Sequence, residues 1–179
     1  MRGSRGKALV VLVLAGACGP GCVHDMLDDD GLPGQSMGTY RVQATLTSNS
    51  CGPGAFGALD AWEFEVKLAR EGSVIYWNNG TELVEGSLAA DGRAFSFSDQ
   101  LTMPLSERKG AQAGCTMFRQ DTASGTLDSA DADKVTGFTG SLTYGYDQEK
   151  GSDCSAVLAQ AGAAQLPCKL DYTITATRE

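Results

Sequence analysis

Apolar and polar residues alternate along most of the chain from Thr39 onward. In the stretch 135–146, Phe138, Leu142, Tyr144 and Tyr146 share one parity, while Thr139, Ser141, Thr143 and Gly145 share the other. A period of two belongs to a strand with one buried and one wet face. Residues 61–69 alternate most cleanly, with Trp62, Phe64, Val66 and Leu68 against Glu63, Glu65 and Lys67. Residues 39–48 put Tyr40, Val42, Ala44 and Leu46 on one face. The pattern predicts eight strands, at 39–48, 61–69, 74–77, 81–89, 93–105, 115–127, 135–146 and 168–177.

Turn chemistry separates them. Arg70-Glu71-Gly72-Ser73, Asn78-Asn79-Gly80 and Ala90-Asp91-Gly92-Arg93 are tight-turn sequences, and Asn and Gly tolerate the positive φ that hairpins need. A bulge is expected near Ser98-Asp99, and Pro104 falls where a missing donor is tolerable, near the end of its strand. The longest loop, 148–167, contains a short helical stretch at 155–161, with Asp153 as a cap. Eight sequential strands joined mostly by short turns predict an all-β fold: an eight-stranded antiparallel up-and-down barrel with one short helix in the 148–167 loop. Pairing of the first strand with the eighth would remove both sheet edges.

Before the barrel region, residues 1–17 have the form of a signal peptide. Arg2, Arg5 and Lys7 precede the apolar run 8–15 and the small residues Gly16 and Ala17. This is the order of a secretory signal, and the run is too short for a spanning helix. Residues 18–37 read as a flexible acidic tether, with Gly19-Pro20-Gly21, an Asp-rich run and Pro33-Gly34. The run Asp25 to Asp30 lacks the alternate-ligand spacing and distal Glu of a calcium loop. The domains are therefore expected as 1–17 signal, 18–37 tether and 38–179 barrel.

The chain has 14 basic and 22 acidic residues; without Arg2, Arg5 and Lys7, 11 basic remain and the net charge is −11. Such a protein repels nucleic acid and has the charge to attract cationic partners. Four cysteines, Cys51, Cys115, Cys154 and Cys168, lie in the barrel region, and an even number in an exported chain predicts two disulfides. With the end of the first strand called the top, the strand directions bring all four to one rim. Three pairings are open, and sequence alone does not choose; Cys51 with Cys115 and Cys154 with Cys168 is the expected set, the second pair closing the longest loop at its base. Cys22 is left over in the tether.

The single histidine, His24, lies in the tether. A Ser-His-Asp or Cys-His centre in the barrel is therefore excluded, and no zinc-ligand spacing or phosphate loop is present. Glu63 and Glu65 alternate with core residues and face water, which argues against paired-carboxylate catalysis. The reading is of a non-enzymatic protein with no cofactor. The aromatic set Tyr40, Trp62, Phe64, Tyr76, Phe95, Phe97, Phe138, Tyr144, Tyr146 and Tyr172 either fills the barrel or partly lines a cavity open at one rim. Of these, Tyr40, Trp62, Phe64, Phe95, Phe97, Phe138, Tyr144 and Tyr172 are the candidate interior contacts for a ligand. Small residues of inward parity, Ala44, Gly140 and Ala176, are expected to leave space.

Two resemblances add to this. Leu14-Ala15-Gly16-Ala17-Cys18 resembles the lipobox of bacterial lipoproteins, with Ala15 where that family usually has Leu. The resemblance implies that Cys18 becomes an acylated N-terminus, which would place the protein on a membrane of the cell envelope. Gly38-Thr39-Tyr40, opening the first strand of an up-and-down barrel, resembles the Gly-x-Trp of the lipocalin-like (calycin) group, with Tyr in place of Trp. It implies that Arg178 packs against Tyr40 and that the barrel binds a small apolar ligand. The alternative is an interaction or inhibitor module whose rim loops engage a cationic envelope protein.

Overall fold

The structure, a computed structural model, describes residues 31–179. The proposed signal, Cys18, Cys22, His24 and most of the expected tether lie outside the described residues. The rest is a closed antiparallel barrel of eight strands in sequence order: β1 Gln35–Asn49, β2 Ala61–Glu71, β3 Val74–Asn78, β4 Leu83–Leu88, β5 Ala94–Ser106, β6 Cys115–Leu127, β7 Gly137–Gln148 and β8 Cys168–Arg178. One short helix, α1 (Ser155–Ala161), interrupts the loop between β7 and β8. The Asp153 carboxylate accepts hydrogen bonds from the Ser155 amide and hydroxyl just ahead of it.

Turn chemistry fixes the strand ends. The Asn79 side-chain oxygen accepts from the amides of Thr81 and Glu82, and Asn78 accepts from Gly80. Those amides are taken before the ladder begins, so β4 starts at Leu83 and not at Thr81. Residues 98–99 of β5 pair in unbroken register with 122–121; the bulge lies between Pro104 and Ser106. The break falls next to the residue that has no amide to donate. At the other end of the barrel, β1 starts at Gln35, and Leu32 already packs outside the wall against Ala69 and Tyr76. The fold therefore reaches several residues into the expected tether. Tyr76, expected inside, is covered by Leu32 on the outer face.

The lower half of the barrel is filled. Tyr40, Val42, Val66, Leu68, Leu127, Phe138 and Ile174 are all almost completely buried. Phe138 packs on Tyr40 at 5.5 Å and edge-on to Phe95 at 5.5 Å. Gly140 leaves no void: it lies directly opposite Gly125, and a Cβ on it would come within 2.1 Å of the Ser124 carbonyl oxygen. A Cβ on Gly125 would meet the Phe95 ring at 2.7 Å. Gly140 thus lets the β6 backbone approach, and Gly125 lets the Phe95 ring close the space that small residues would otherwise leave.

A hydrogen-bonded knot closes the bottom. The Tyr40 hydroxyl donates to the Met37 carbonyl at 2.7 Å, and the Arg178 guanidinium donates to the carbonyls of Asp133 and Val135. Gly38 has φ 103, and a Cβ there would sit 2.6 Å from Arg178 Nε. Only glycine lets that guanidinium lie across the strand.

At the top rim, Cys51 bonds to Cys168 and Cys115 to Cys154. The expected pairing is therefore corrected. Closure puts the end of β1 beside the start of β8, and antiparallel pairing puts the start of β6 beside the end of β7. Neighbouring strand ends, not neighbouring cysteines in sequence, decide the bonds. The Cys51–Cys168 bridge spans 117 residues, for which the chain-entropy relation gives up to about 5 kcal/mol.

Burial pushes the Tyr40 phenol up to about 12, partly offset by Arg178. Folding therefore favours its neutral form. The associated stability is complete below about pH 10, the ordinary tyrosine value, and is lost as pH rises to about 12. Tyr40→Phe keeps the ring and loses the bond to Met37, so it should cost about 1 kcal/mol at neutral pH. Denaturant titrations of both proteins at pH 8 and at pH 11.5 should show this gap shrinking. A gap that is unchanged or wider at pH 11.5 would contradict a buried neutral phenol.

Candidate functional site: an aromatic cavity at the disulfide rim

Strand β6 carries an anomaly. Cys115, Met117, Ala123 and Leu127 are buried and share a parity, so that parity faces the barrel interior. Arg119 and Asp121 have the same parity and therefore also face inward. Their side chains are 31% and 21% exposed. Arg119 Nε donates to Asp121 Oδ1 at 2.7 Å and Nη2 to Oδ2 at 2.6 Å. Such a two-pronged pair satisfies both charges together. The guanidinium also lies 5.5 Å from the centre of the Tyr144 ring.

The electrostatics follow from this packing. The hydrogen bond to Asp121 holds the Arg119 guanidinium above its ordinary value, against the opposing effect of burial. Burial first, and then the Asp121 charge, push the Tyr144 phenol up to about 12, with Arg119 pulling the other way. At neutral pH Tyr144 is thus a neutral ring with a polar tip, between a charged pair and an aromatic wall.

Beside this pair the barrel opens. A cavity of about 240 Å³ is walled by Trp62, Phe64, Trp77 and Phe97, floored by Ala123 and Leu142, and edged by Asp99, Asp121 and the β3–β4 turn. Trp62 stacks on Phe64 at 4.5 Å, Phe64 meets Trp77 at 6.1 Å, and Trp77 meets Phe97 at 5.4 Å. These contacts link the rings in a chain along β2, β3 and β5. A second depression of about 280 Å³ lies across Trp62 and Tyr144, lined by Phe56, Arg119, Tyr146 and Tyr172. The ion pair stands between the two, with Asp121 in the first and Arg119 in the second.

The rim is built unequally. Phe56, in the β1–β2 loop, stacks on Tyr146 at 4.1 Å. The Asn49 side chain ties this loop down by accepting from the Cys51 and Gly52 amides, and Cys51 is bonded to β8. Val157 and Leu158 of α1 pack on the core from the same side. Loop and helix together roof the part of the mouth near β7, β8 and β1. Between β3 and β4 there is only a tight turn, so the first cavity opens to solvent there.

Of the eight candidate ligand contacts, Trp62, Phe64, Phe97 and Tyr144 line this cavity. Tyr172 lines the second depression. Tyr40, Phe95 and Phe138 belong to the filled base. Trp77 lines the cavity but was absent from the expected set. Val74, Ile75, Tyr76 and Trp77 are all apolar, so alternation could not choose which of them point inward. The pairing of Trp77 with Leu68, an inward residue, decides it. Among the described residues, no three His, Cys, Asp or Glu side chains stand close enough together to hold a metal ion. No protein-family model matches this chain, and neither a curated protein nor a solved structure matches it.

The ion pair is half-screened by solvent, so its coupling should be modest, about 1 kcal/mol. A double-mutant cycle with Arg119→Gln and Asp121→Asn, read by urea denaturation, should return that value and show it falling in high salt. Zero coupling at low salt would contradict the bidentate geometry.

Proposed function

We propose that this protein is an exported, membrane-anchored barrel that binds a small apolar or amphipathic molecule at its mouth, without catalysing a reaction. The observation that carries this reading is the contrast between the two halves of the barrel. The base is packed solid, while the disulfide rim holds an aromatic-walled cavity of about 240 Å³ that is open to solvent. Concave, mostly apolar sites with a few polar groups are where small ligands bind, and the mouths of β-barrels are a common place for them. The polar pair that reaches this site, Arg119 and Asp121, is satisfied within itself, as suits a wall and not a reaction centre.

Two disulfides fit a protein of an oxidising compartment outside the cytoplasm. Among the described residues no helix is long and apolar enough to cross a membrane. Attachment would come from acylation of Cys18, as the lipobox-like segment implies. The Gly38, Tyr40 and Arg178 contacts are compatible with the lipocalin-like resemblance, since Arg178 pairs with Tyr40 in register and lies against Gly38.

A second reading has one observation in its favour. Among the described residues, Leu59, Leu83 and Leu105 are the large hydrophobics exposed on the surface, at 58%, 46% and 46%, and all three lie toward the same rim. With an acidic chain, this suits rim-mediated contact with a cationic envelope protein.

Native mass spectrometry of the exported protein, released from membranes in mild detergent, separates these readings. A non-covalent added mass, lost on denaturation and lost in Trp77→Ala, is the expected result. Acyl chains should appear as covalent mass and vanish in Cys18→Ser. Co-release with a stoichiometric basic protein and no small adduct would favour the second reading.

A further inference from the structure

The charge lining the aromatic cavity is one-sided, and that selects a ligand class. We infer that the cavity takes an organic cation: a small amphipathic amine, with its ring or alkyl part against Trp62, Phe64, Trp77 and Phe97 and its ammonium at Asp99. This rests on the proposal that the mouth binds a small ligand, and adds its chemistry.

Three carboxylates line the cavity, those of Glu82, Asp99 and Asp121, and no Lys or Arg does. The guanidinium nearest to it, that of Arg119, lies on the other depression and is held by both oxygens of Asp121. One of the three acids is thus neutralised, and two remain. Asp99 sits directly opposite Asp121 in the β5–β6 register, with the same inward parity as Phe95 and Phe97. Among the described residues, the Asp99 carboxylate forms no ion pair and accepts no hydrogen bond.

Like charges directly opposite on neighbouring strands repel. Arg119 offsets that repulsion at Asp121, and a cation bound at Asp99 gives the second acid its own counter-charge, whereas an anion meets an unpaired carboxylate. A wholly apolar ligand would bury the Asp99 carboxylate without giving it a partner, which is unfavourable. The walls act in the same direction, because the faces of Trp, Tyr and Phe rings attract a cation. Size is compatible: an apolar cavity of about 150 Å³ holds benzene, so about 240 Å³ leaves room for a ring with a short amine arm.

The test is a titration of the full, disulfide-intact protein with three probes of one shape: 2-phenylethylamine, 2-phenylethanol and 3-phenylpropionate. Tryptophan fluorescence is the readout, since the chain has two tryptophans and both line the cavity. The amine should bind about tenfold tighter than the alcohol, with the carboxylate weakest, and its affinity should fall with salt. Asp99→Asn, checked for folding by circular dichroism, should weaken the amine about tenfold and leave the alcohol unchanged. Glu82→Gln, on the exposed turn, should do less, about threefold. Asp121→Asn frees Arg119 and should improve carboxylate binding. Equal affinity for amine and alcohol, or tighter binding of the carboxylate by the wild type, would overturn the cation assignment while leaving a ligand site in place. Binding of none of the three would overturn both.

Discussion

Closure of β1 on β8 is the constraint on which the rest of this structure depends. The pairing runs from Tyr40 opposite Arg178 to Asn49 opposite Leu170. It leaves no unpaired edge and gives every strand one inward and one outward face. A period of two in the sequence then becomes a statement about inside and outside. The two ends of this seam are locked differently. At the bottom, Arg178 crosses Gly38 and ties the wall to the 132–135 turn through backbone carbonyls. At the top, the seam ends beside the Cys51–Cys168 bond.

With the wall fixed, the interior divides by side-chain chemistry. Below, Phe95 fills the space over Gly125, Gly140 lets the β6 backbone come close, and the aromatic packing is continuous from Tyr40 through Phe138 to Trp77. Above, β6 brings Arg119 and Asp121 inward, and a charged pair cannot be sealed in an apolar core without a large desolvation cost. The upper interior is therefore wet and open. Loop and helix, stapled by the two disulfides, roof one side of it, while the short β3–β4 turn leaves the other uncovered. Function is proposed where packing stops.

Much of this was legible in the sequence. β6 and α1 lie where alternation and the helical stretch of the long loop put them, although Cys154 and not Asp153 stands at the cap position, and all four cysteines share one rim. The disulfide pairing was misread because proximity in the chain was weighed above proximity in the barrel; seam closure, already expected, puts Cys51 next to Cys168. Gly140 reads in sequence as empty space, but a glycine lets a neighbouring ring or backbone approach as readily as it leaves a void. Trp77 was hidden in a run with no polar residue to set its phase. Arg119 and Asp121 had a signal, since Met117, Ala123 and Leu127 share their parity, but a search for apolar wall residues passes over charges. Their placement follows only when the strand's phase is trusted over residue type.

Strand β6 turns Arg119 and Asp121 into the mouth of a closed barrel. That placement is tested most directly by nuclear Overhauser contacts from the Arg119 side chain in solution. Contacts are expected from the Arg119 δ-methylene protons to the Tyr144 ring, with a ring-current shift of those protons, and between the backbones of Ala44 and Ile174 across the seam. An Arg119 side chain with unperturbed shifts and no aromatic contacts would put the pair on the outer face and contradict the open, charged mouth.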